Sequence, residues 1–245
     1  MIKKILLADS GRKFFVKDLE HDFHTQFGYV TAAALKKAKP GAILKTNTGT
    51  ELVALAPQFI DLYQKIARGP QVITPKDIGT IIAETGIVKT STVVDAGGGS
   101  GALTFFLAHL CRKVTTYEVR SDFARLLEGN KALLGMKNIT IKNKDVCQGI
   151  DEKNLDLITL DLPEPWHALV HATRALRPGG FLVTYNPSIT QAAQLVEAVK
   201  QSRGMQYLKT KEVLERKWEI DGRKVRPYNR MLAHTGFLVF CRKTG

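Results

Sequence analysis

The sequence predicts an α/β protein in two parts. Residues 1–66 form a small N-terminal β domain, and residues 67–245 form a larger doubly wound, mostly parallel sheet with a C-terminal antiparallel hairpin. Three observations carry this. From Gln71 onward, apolar strand patterns alternate with amphipathic helix patterns, as in a parallel sheet with helices on its faces. Before that point the chain holds only short strands broken by Gly, Pro and Asn turns. Near the end, strand patterns follow one another with no helix between them, which suits antiparallel pairing. At 245 residues, 44% of them hydrophobic, the chain can fill one α/β core and a small second one.

The elements follow in order. "KKILLAD" and "RKFFVKD" are strands separated by a hairpin-like break at Ser10-Gly11. "KPGAILKTNTGTELVALAP" repeats the pattern, with Lys39-Pro40-Gly41 and Asn47-Thr48-Gly49 as turns, and "QFIDLYQKIARGP" is a short helix leading out through Gly69-Pro70. In the second part "STVVDAGGGSG" is a strand entering a glycine loop, and "ALTFFLAHLCR" is the helix after it. "KVTTYEV", "NITIKNKDV" and "LDLITLDL" are the next three strands, with the helix "SDFARLLEGNKALLG" between the first two. "HALVHATRALRPGG" is an amphipathic helix closed by a Pro-Gly-Gly turn, "FLVTYN" a fifth strand and "TQAAQLVEAVKQS" a further helix. "TKEVLERKWEIDGRKVRP" and "TGFLVFCRK" read as an antiparallel hairpin at one edge of the sheet.

The charge of +13 is unevenly spread. Residues 1–70 carry 11 basic and 6 acidic side chains, residues 71–202 carry 14 and 13, and residues 203–245 carry 11 and 4. A nearly neutral middle between basic ends suggests a catalytic core with a polyanion-binding surface. No apolar run reaches the ~18 residues of a membrane span, and the start "MIKKILLADSGRK" lacks the features of a secretion signal. The cysteines Cys111, Cys147 and Cys241 are odd in number and widely spaced. They read as reduced thiols of a cytoplasmic protein, with no CxxC pair for zinc.

The chemistry begins at "VVDAGGGSGAL". Gly97, Gly98, Gly99 and Gly101 between a strand and a helix let the backbone turn sharply and approach a ligand that meets the helix N-terminus. Nicotinamide and flavin enzymes use such a loop too. The acids separate the readings. Asp95, at the strand end, would repel a pyrophosphate and suit a cationic amino-acid moiety. Glu118 ends the second strand and can accept two hydrogen bonds from a ribose diol, and Asp145 ends the third, where it can take an adenine amino group. Acids at three successive strand ends describe S-adenosylmethionine better than a dinucleotide.

On these residues the chain resembles class I methyltransferases, and more closely the tRNA (adenine-58-N1)-methyltransferases. The resemblance covers almost the whole chain. It is carried by "RGPQVITPKD" (68–77), "DAGGGSGALT" (95–104), "YEVR" (117–120), "DLPEPW" (161–166), "LRPGG" (176–180) and "RPYNRMLAHTGFLVF" (226–240). It implies a Rossmann-like class I methyltransferase fold with a seven-stranded sheet, a small N-terminal β domain and a homotetramer. It also implies methylation of adenine N1 in the tRNA T-loop, at adenine 58, with adenine 57 as a candidate second position. It places the cofactor on Gln71, Asp95, Gly97, Gly99, Ser100, Gly101, Ala102, Leu103, Glu118, Phe123, Asp145 and Asp161, and RNA on Arg226, Arg230 and His234. Family members often have Glu-Ala-Gly-Thr/Ala-Gly where this chain has Asp95-Ala96-Gly97-Gly98-Gly99. Many have an aromatic residue before Pro-Lys-Asp, where this chain has Thr74.

The resemblance makes Asp161, in "ITLDLPEPWHAL", the catalytic residue. It ends the fourth strand beside the crevice where open α/β sheets bind ligands, and the prolines that follow stiffen the loop. Adenine N1 needs no strong base, but the methylated product is cationic, so a nearby carboxylate acts first electrostatically and second as a proton acceptor. Glu164 reads as a solvated loop acid, and Trp166 as a stacking or wedging residue. His167 and His171 have metal-ligand spacing on a helix, yet no third ligand is evident and the chemistry needs no metal. His21 and His24 are similarly unsupported. The competing readings are a non-catalytic RNA-binding subunit, an N6-adenine or other RNA methyltransferase and, more distantly, a nicotinamide dehydrogenase.

Overall fold

The structure, a computed structural model, describes residues 2–245. They divide into two compact units, one ending at Ile66 and the other beginning at Ala67.

The first unit contains β1 (Lys4–Ala8), β2 (Lys13–Val16), β3 (Phe23–Thr25), β4 (Gly28–Val30), α1 (Ala32–Lys37), β5 (Ile43–Lys45), β6 (Glu51–Leu55) and α2 (Phe59–Tyr63). The order β2-β1-β6-β5 makes one four-stranded antiparallel sheet, and β3 and β4 form a separate ribbon. The break at Ser10-Gly11 is a tight turn: the Gly11 amide donates to the Ala8 carbonyl (2.9 Å), with Gly11 at φ 77°. The sequence reading omitted α1. Its six residues bury only Leu35, which joins Leu6, Val30 and Leu52 in the core of this unit. Thr31 caps it, with Oγ1 accepting from the Ala34 amide.

The second unit contains α3 (Pro75–Thr85), β7 (Thr92–Ala96), α4 (Ala102–Leu110), β8 (Lys113–Tyr117), α5 (Ser121–Leu134), β9 (Ile139–Lys142), β10 (Leu155–Leu160), α6 (Leu169–Ala175), β11 (Leu176–Asn186), α7 (Ile189–Gln201), β12 (Met205–Glu212), β13 (Trp218–Asp221), β14 (Lys224–Pro227) and β15 (Phe237–Lys243). Seven strands form one sheet in the order β12-β15-β11-β10-β7-β8-β9. The five from β11 to β9 are parallel, while β15 is antiparallel to both its neighbours. Central strands covered on both faces read as continuous apolar runs, and Val93, Val94, Leu157 and Ile158 are fully buried.

Two local readings change. The helix expected to close at Pro-Gly-Gly ends at Ala175, and β11 begins at once. Leu155 pairs with Leu176 and Leu157 with Phe181, so Pro178-Gly179-Gly180 bulges out of the strand. Also, β12 does not pair with the segment that follows it. Trp218–Pro227 folds on itself as the ribbon β13–β14, and β12 pairs instead with β15. The chain leaves β7 toward β8 on one side, and β10 lies on the other. The switch point therefore falls between β7 and β10, where a ligand crevice is expected at the strand C-termini.

Candidate active site

The glycine loop fills the mouth of that switch point. Gly97, Gly99 and Gly101 adopt φ of 80°, 52° and 89°. At Gly97 a Cβ would stand 2.0 Å from the Asp161 backbone oxygen, so the loop backbone lies directly on the backbone leaving β10. A Cβ on Gly98 would strike Thr116 Oγ1, and one on Gly101 the Phe105 ring. Gly99 is different: its nearest such neighbour is the Gly97 carbonyl at 3.9 Å, so its α-carbon borders open space. Ala102 and Leu103 begin α4 and are buried, and their amides belong to the helix N-terminus beside the loop.

Two polar side chains hold the loop. Glu118 is buried; its Oε2 accepts from the Gly99 amide (2.8 Å) and its Oε1 from the Arg120 amide (2.9 Å). Each oxygen keeps a second lone pair for a ligand hydroxyl. Asn130 on α5 donates to the Ser100 carbonyl (2.9 Å), accepts from the Ala67 amide (2.9 Å) and donates to the Ala67 carbonyl (2.8 Å). The sequence reading missed Asn130. Its only sequence signal is a polar residue three positions after the buried Leu127, on the inward face of α5.

The other acids differ from one another. Asp95 is fully inside, its oxygens accepting from Thr104 Oγ1 (2.5 Å) and Thr159 Oγ1 (2.7 Å), and burial raises its carboxyl above the ordinary carboxylate range. Asp145 lies three residues beyond β9, not at its end, and caps a 3-10 turn by accepting from the Cys147 amide (2.8 Å). Asp161 follows β10, its amide bound to the Ala96 carbonyl (2.9 Å). Burial, then the charges of Asp95 and Glu118, push its carboxyl up to about 7. The Asp161 loop is fastened from α7, where Gln191 Nε2 donates to the Leu162 carbonyl (3.1 Å) and the Pro163 carbonyl.

Gln71 is exposed and sits at φ 61°, a left-handed conformation unusual outside glycine. The Phe123 ring lies where a Cβ on Gly69 would stand, and the Arg120 guanidinium stacks on it at 4.3 Å. Tyr185 was not anticipated. The pairing of Leu160 with Thr184 sets Tyr185 level with Asp161 across neighbouring strands. Burial, then the Asp77 carboxylate, push its hydroxyl up to about 12. Arg226 lies on the exposed ribbon 3.6 Å from Glu219, and Arg230 is exposed beyond it. His234 is already engaged, with Nδ1 2.6 Å from Glu212 Oε1 and Nε2 2.9 Å from the Pro187 carbonyl. Its pKa is raised, first by Glu212. The protonated ring donates both bonds.

His167 falls in the 3-10 turn Pro165–Ala168, and His171 on α6. Among the described residues no group of three or more His, Cys, Asp or Glu side chains could hold a metal. No helix of the described residues is long and apolar enough to cross a membrane.

Asp95, Glu118 and Asp161 thus gather three carboxyl groups around a loop whose open face is Gly99. Such a cluster opposes a pyrophosphate and favours a cation, whose charge would in turn favour the ionised carboxylates. The crevice fits S-adenosylmethionine, which carries a sulfonium and an ammonium group. Glu118→Ala is expected to weaken S-adenosylmethionine binding by more than about tenfold, the scale of a lost hydrogen bond to a charged group. Calorimetry giving an unchanged affinity would reduce Glu118 to a loop brace.

The family described as tRNA methyltransferase complex GCD14 subunit matches residues 55–235. A tRNA (adenine(57)-N(1)/adenine(58)-N(1))-methyltransferase of Methanocaldococcus jannaschii is 34% identical over 98% of this chain and 94% of its own. A tRNA (adenine(58)-N(1))-methyltransferase of Thermus thermophilus is 33% identical, over 98% and 96%. Among solved structures, a SAM-dependent O-methyltransferase of Thermotoga maritima superposes with a TM-score of 0.85 at 29% identity, covering 100% of this chain and 93% of its own. A tRNA (m1A58) methyltransferase of Aquifex aeolicus has a TM-score of 0.81 at 24% identity, covering 99% and 97%, a likeness of fold.

Proposed function

The chain belongs to the family of the tRNA methyltransferase complex GCD14 subunit, and from that premise we infer that it methylates N1 of adenine 58 in tRNA, using S-adenosylmethionine. The observation that carries the reading within the site is Asp161. Its backbone is locked against Gly97 at the switch point, and its carboxyl is raised to about 7.

The unit from Ala67 onward is the catalytic domain in this reading. S-adenosylmethionine supplies an electrophilic methyl group on a sulfonium sulfur. The free lone pairs of Glu118 would take the ribose hydroxyls and Asp145 the adenine amino group, while the Asn130 brace keeps the glycine loop in place. Adenine N1 would take that methyl with its in-plane lone pair, as the methyl carbon–sulfur bond breaks and its electron pair stays on the sulfur of the departing S-adenosylhomocysteine. As the purine becomes cationic, the Asp161 carboxylate stabilises the charge spreading to N6 and can accept a proton from it. Because N1 lies on the pairing edge, the base must leave its stacked or paired context first. Arg226 and Arg230 are the candidates for RNA phosphates. His234, with both nitrogens engaged, supports the turn at Pro187 and contributes its positive charge. A homotetramer and a cytoplasmic location accompany the reading.

Mass spectrometry of nucleosides from tRNA incubated with the protein and cofactor tests it. 1-Methyladenosine is the expected product; N6-methyladenosine or a ribose-methylated nucleoside would replace the reading. The O-methyltransferase named for the Thermotoga neighbour makes the last outcome the specific alternative. Mapping the product also tells adenine 57 from adenine 58.

The basic C-terminal part gives a second test. tRNA affinity should fall steeply with salt while cofactor affinity hardly moves, since only RNA binding releases many condensed counterions. Arg223→Ala, in the exposed turn of the β13–β14 ribbon, should lower the salt slope by about one unit or less. It should raise KM for tRNA and spare single-turnover chemistry. Lys13 is unsuited to such a test, because it pairs at 2.7 Å with the buried Asp61. A flat salt response would leave these charges as solubility charges.

A further inference from the structure

The motifs at 68–77 and 226–240 meet in a buried polar cluster that the reaction itself does not use. Asp77, at the first turn of α3, is fully buried. Its Oδ2 accepts from Thr74 Oγ1 and from Thr235 Oγ1, both at 2.8 Å, and its Oδ1 pairs with Lys76 Nζ at 2.9 Å. The Lys76 side chain is 8% exposed. Its ammonium also donates to the Val213 carbonyl (2.7 Å) and to Thr235 Oγ1 (2.6 Å), so its three donors are all used.

The two ends that Lys76 holds bracket one excursion of the chain. Val213 is where the backbone leaves β12, and Thr235 is where it returns to β15. Between them lie the ribbon β13–β14, Arg226 and Arg230. Thr235 also reaches the catalytic crevice: its carbonyl accepts from the Tyr185 hydroxyl, and the Tyr185 ring occupies the space a Cβ on Gly236 would take, 2.5 Å away. Tyr185 stands level with Asp161. A buried ion pair is a poor source of stability, since apolar residues of similar volume serve as well or better. A fully saturated pair gripping both ends of an excursion is suited to fixing geometry.

We propose that Lys76, Asp77 and Thr235 form a latch that closes the base of the 213–235 excursion and sets its placement, together with that of Tyr185, over Asp161. They are positioning residues for the incoming RNA base, not for the cofactor. The inference rests on the RNA methyltransferase reading for its consequence in the rate, but its structural half stands by itself.

The decisive comparison is Thr235→Val against Thr235→Ser, in the full chain. The valine variant removes the hydroxyl at nearly constant volume; the serine variant keeps it. Hydrogen exchange at the amides of 214–234 should be at least about tenfold faster in Thr235→Val, the scale of one lost buried hydrogen bond, and close to wild type in Thr235→Ser. At saturating tRNA, single-turnover methyl transfer should fall about tenfold in the valine variant and recover in the serine variant. The S-adenosylmethionine Kd should stay within about twofold throughout. A purely stabilising role would lower Tm and leave the single-turnover rate and its serine rescue unmoved, overturning the proposal. Unchanged exchange in 214–234, or faster exchange spread evenly over 67–245, would overturn it as well. Should the wild-type protein form no 1-methyladenosine, the functional reading fails, yet the exchange experiment still decides whether the latch exists. Lys76→Met, which keeps the length of the side chain, supplies a second variant that should show the same localised change.

Discussion

Asp161→Ala is expected to lower single-turnover methyl transfer by at least about a hundredfold, the scale of one deleted preorganised electrostatic contact, while S-adenosylmethionine still binds. The chain geometry supports the separation. Asp161 is held through its backbone, by the Ala96 carbonyl and the contact with Gly97, so truncating the side chain leaves the loop standing. The pH dependence gives a second signature. The carboxyl titrates at about 7 and acts as a carboxylate, so kcat/KM should rise with pH through about 7 in the wild type, and Asp161→Asn should lose that limb. Stability runs the other way. A carboxyl raised from 3.8 to about 7 in the folded state favours folding below about 4, and that contribution is lost as pH rises through about 7. Asp161→Asn should therefore be more stable than wild type at pH 8, by ~4 kcal/mol at most, with the difference vanishing near pH 4. Near wild-type turnover in the alanine variant would remove Asp161 from the chemistry.

Gly97→Ala is expected to be the most damaging single methyl group in the catalytic unit. The residue stands at φ 80°, where a side chain is strained by roughly 1–2 kcal/mol. Its Cβ would also lie 2.0 Å from a backbone oxygen, which cannot rotate away. Either the glycine loop or the strand end carrying Asp161 must shift. Cofactor affinity and turnover should both fall by about a hundredfold or more, since a shift near 1 Å in a catalytic group has that effect, and Tm should drop. Gly99→Ala is the control. It meets only the left-handed strain of its φ of 52°, so it should cost about 1–2 kcal/mol of stability while its methyl intrudes on the ligand side. Thermal melts and calorimetry on the pair separate loop packing from ligand contact. Equal melting temperatures for Gly97→Ala and wild type would mean that the Gly97–Asp161 contact is not rigid.

What the sequence made legible was what neighbours along the chain decide. The glycine loop, the acid before it and Asp161 at a strand end are local patterns, and the structure brings the glycine loop and both acids to one mouth. Asp145 was displaced because the strand stops at Lys142, and the acid is then more useful heading a turn. α1 went unread because its six residues, with one buried leucine, are too few to show a period. Asn130, Tyr185 and the Lys76–Asp77 pair were invisible for a different reason. Each gains its role from partners up to 159 positions away, and those distances are set by strand register, which periodicity alone does not specify.

The position of β15 bears on how the protein is made. This strand lies between β11 and β12 in the sheet, although it is translated after both. At about 5–20 residues per second, the ribosome needs seconds to travel from Glu212 to Lys243. Throughout that interval β11 has an open edge and β12 has no strand to join, the state in which nascent sheets pair with the wrong chain. The sequence of β12, "MQYLKTKE", carries Lys209, Lys211 and Glu212, and charges of this kind discourage premature pairing. In the finished fold Lys209 and Lys211 both bind Glu84 of α3, so the side chains that guard the strand during synthesis also anchor it afterwards.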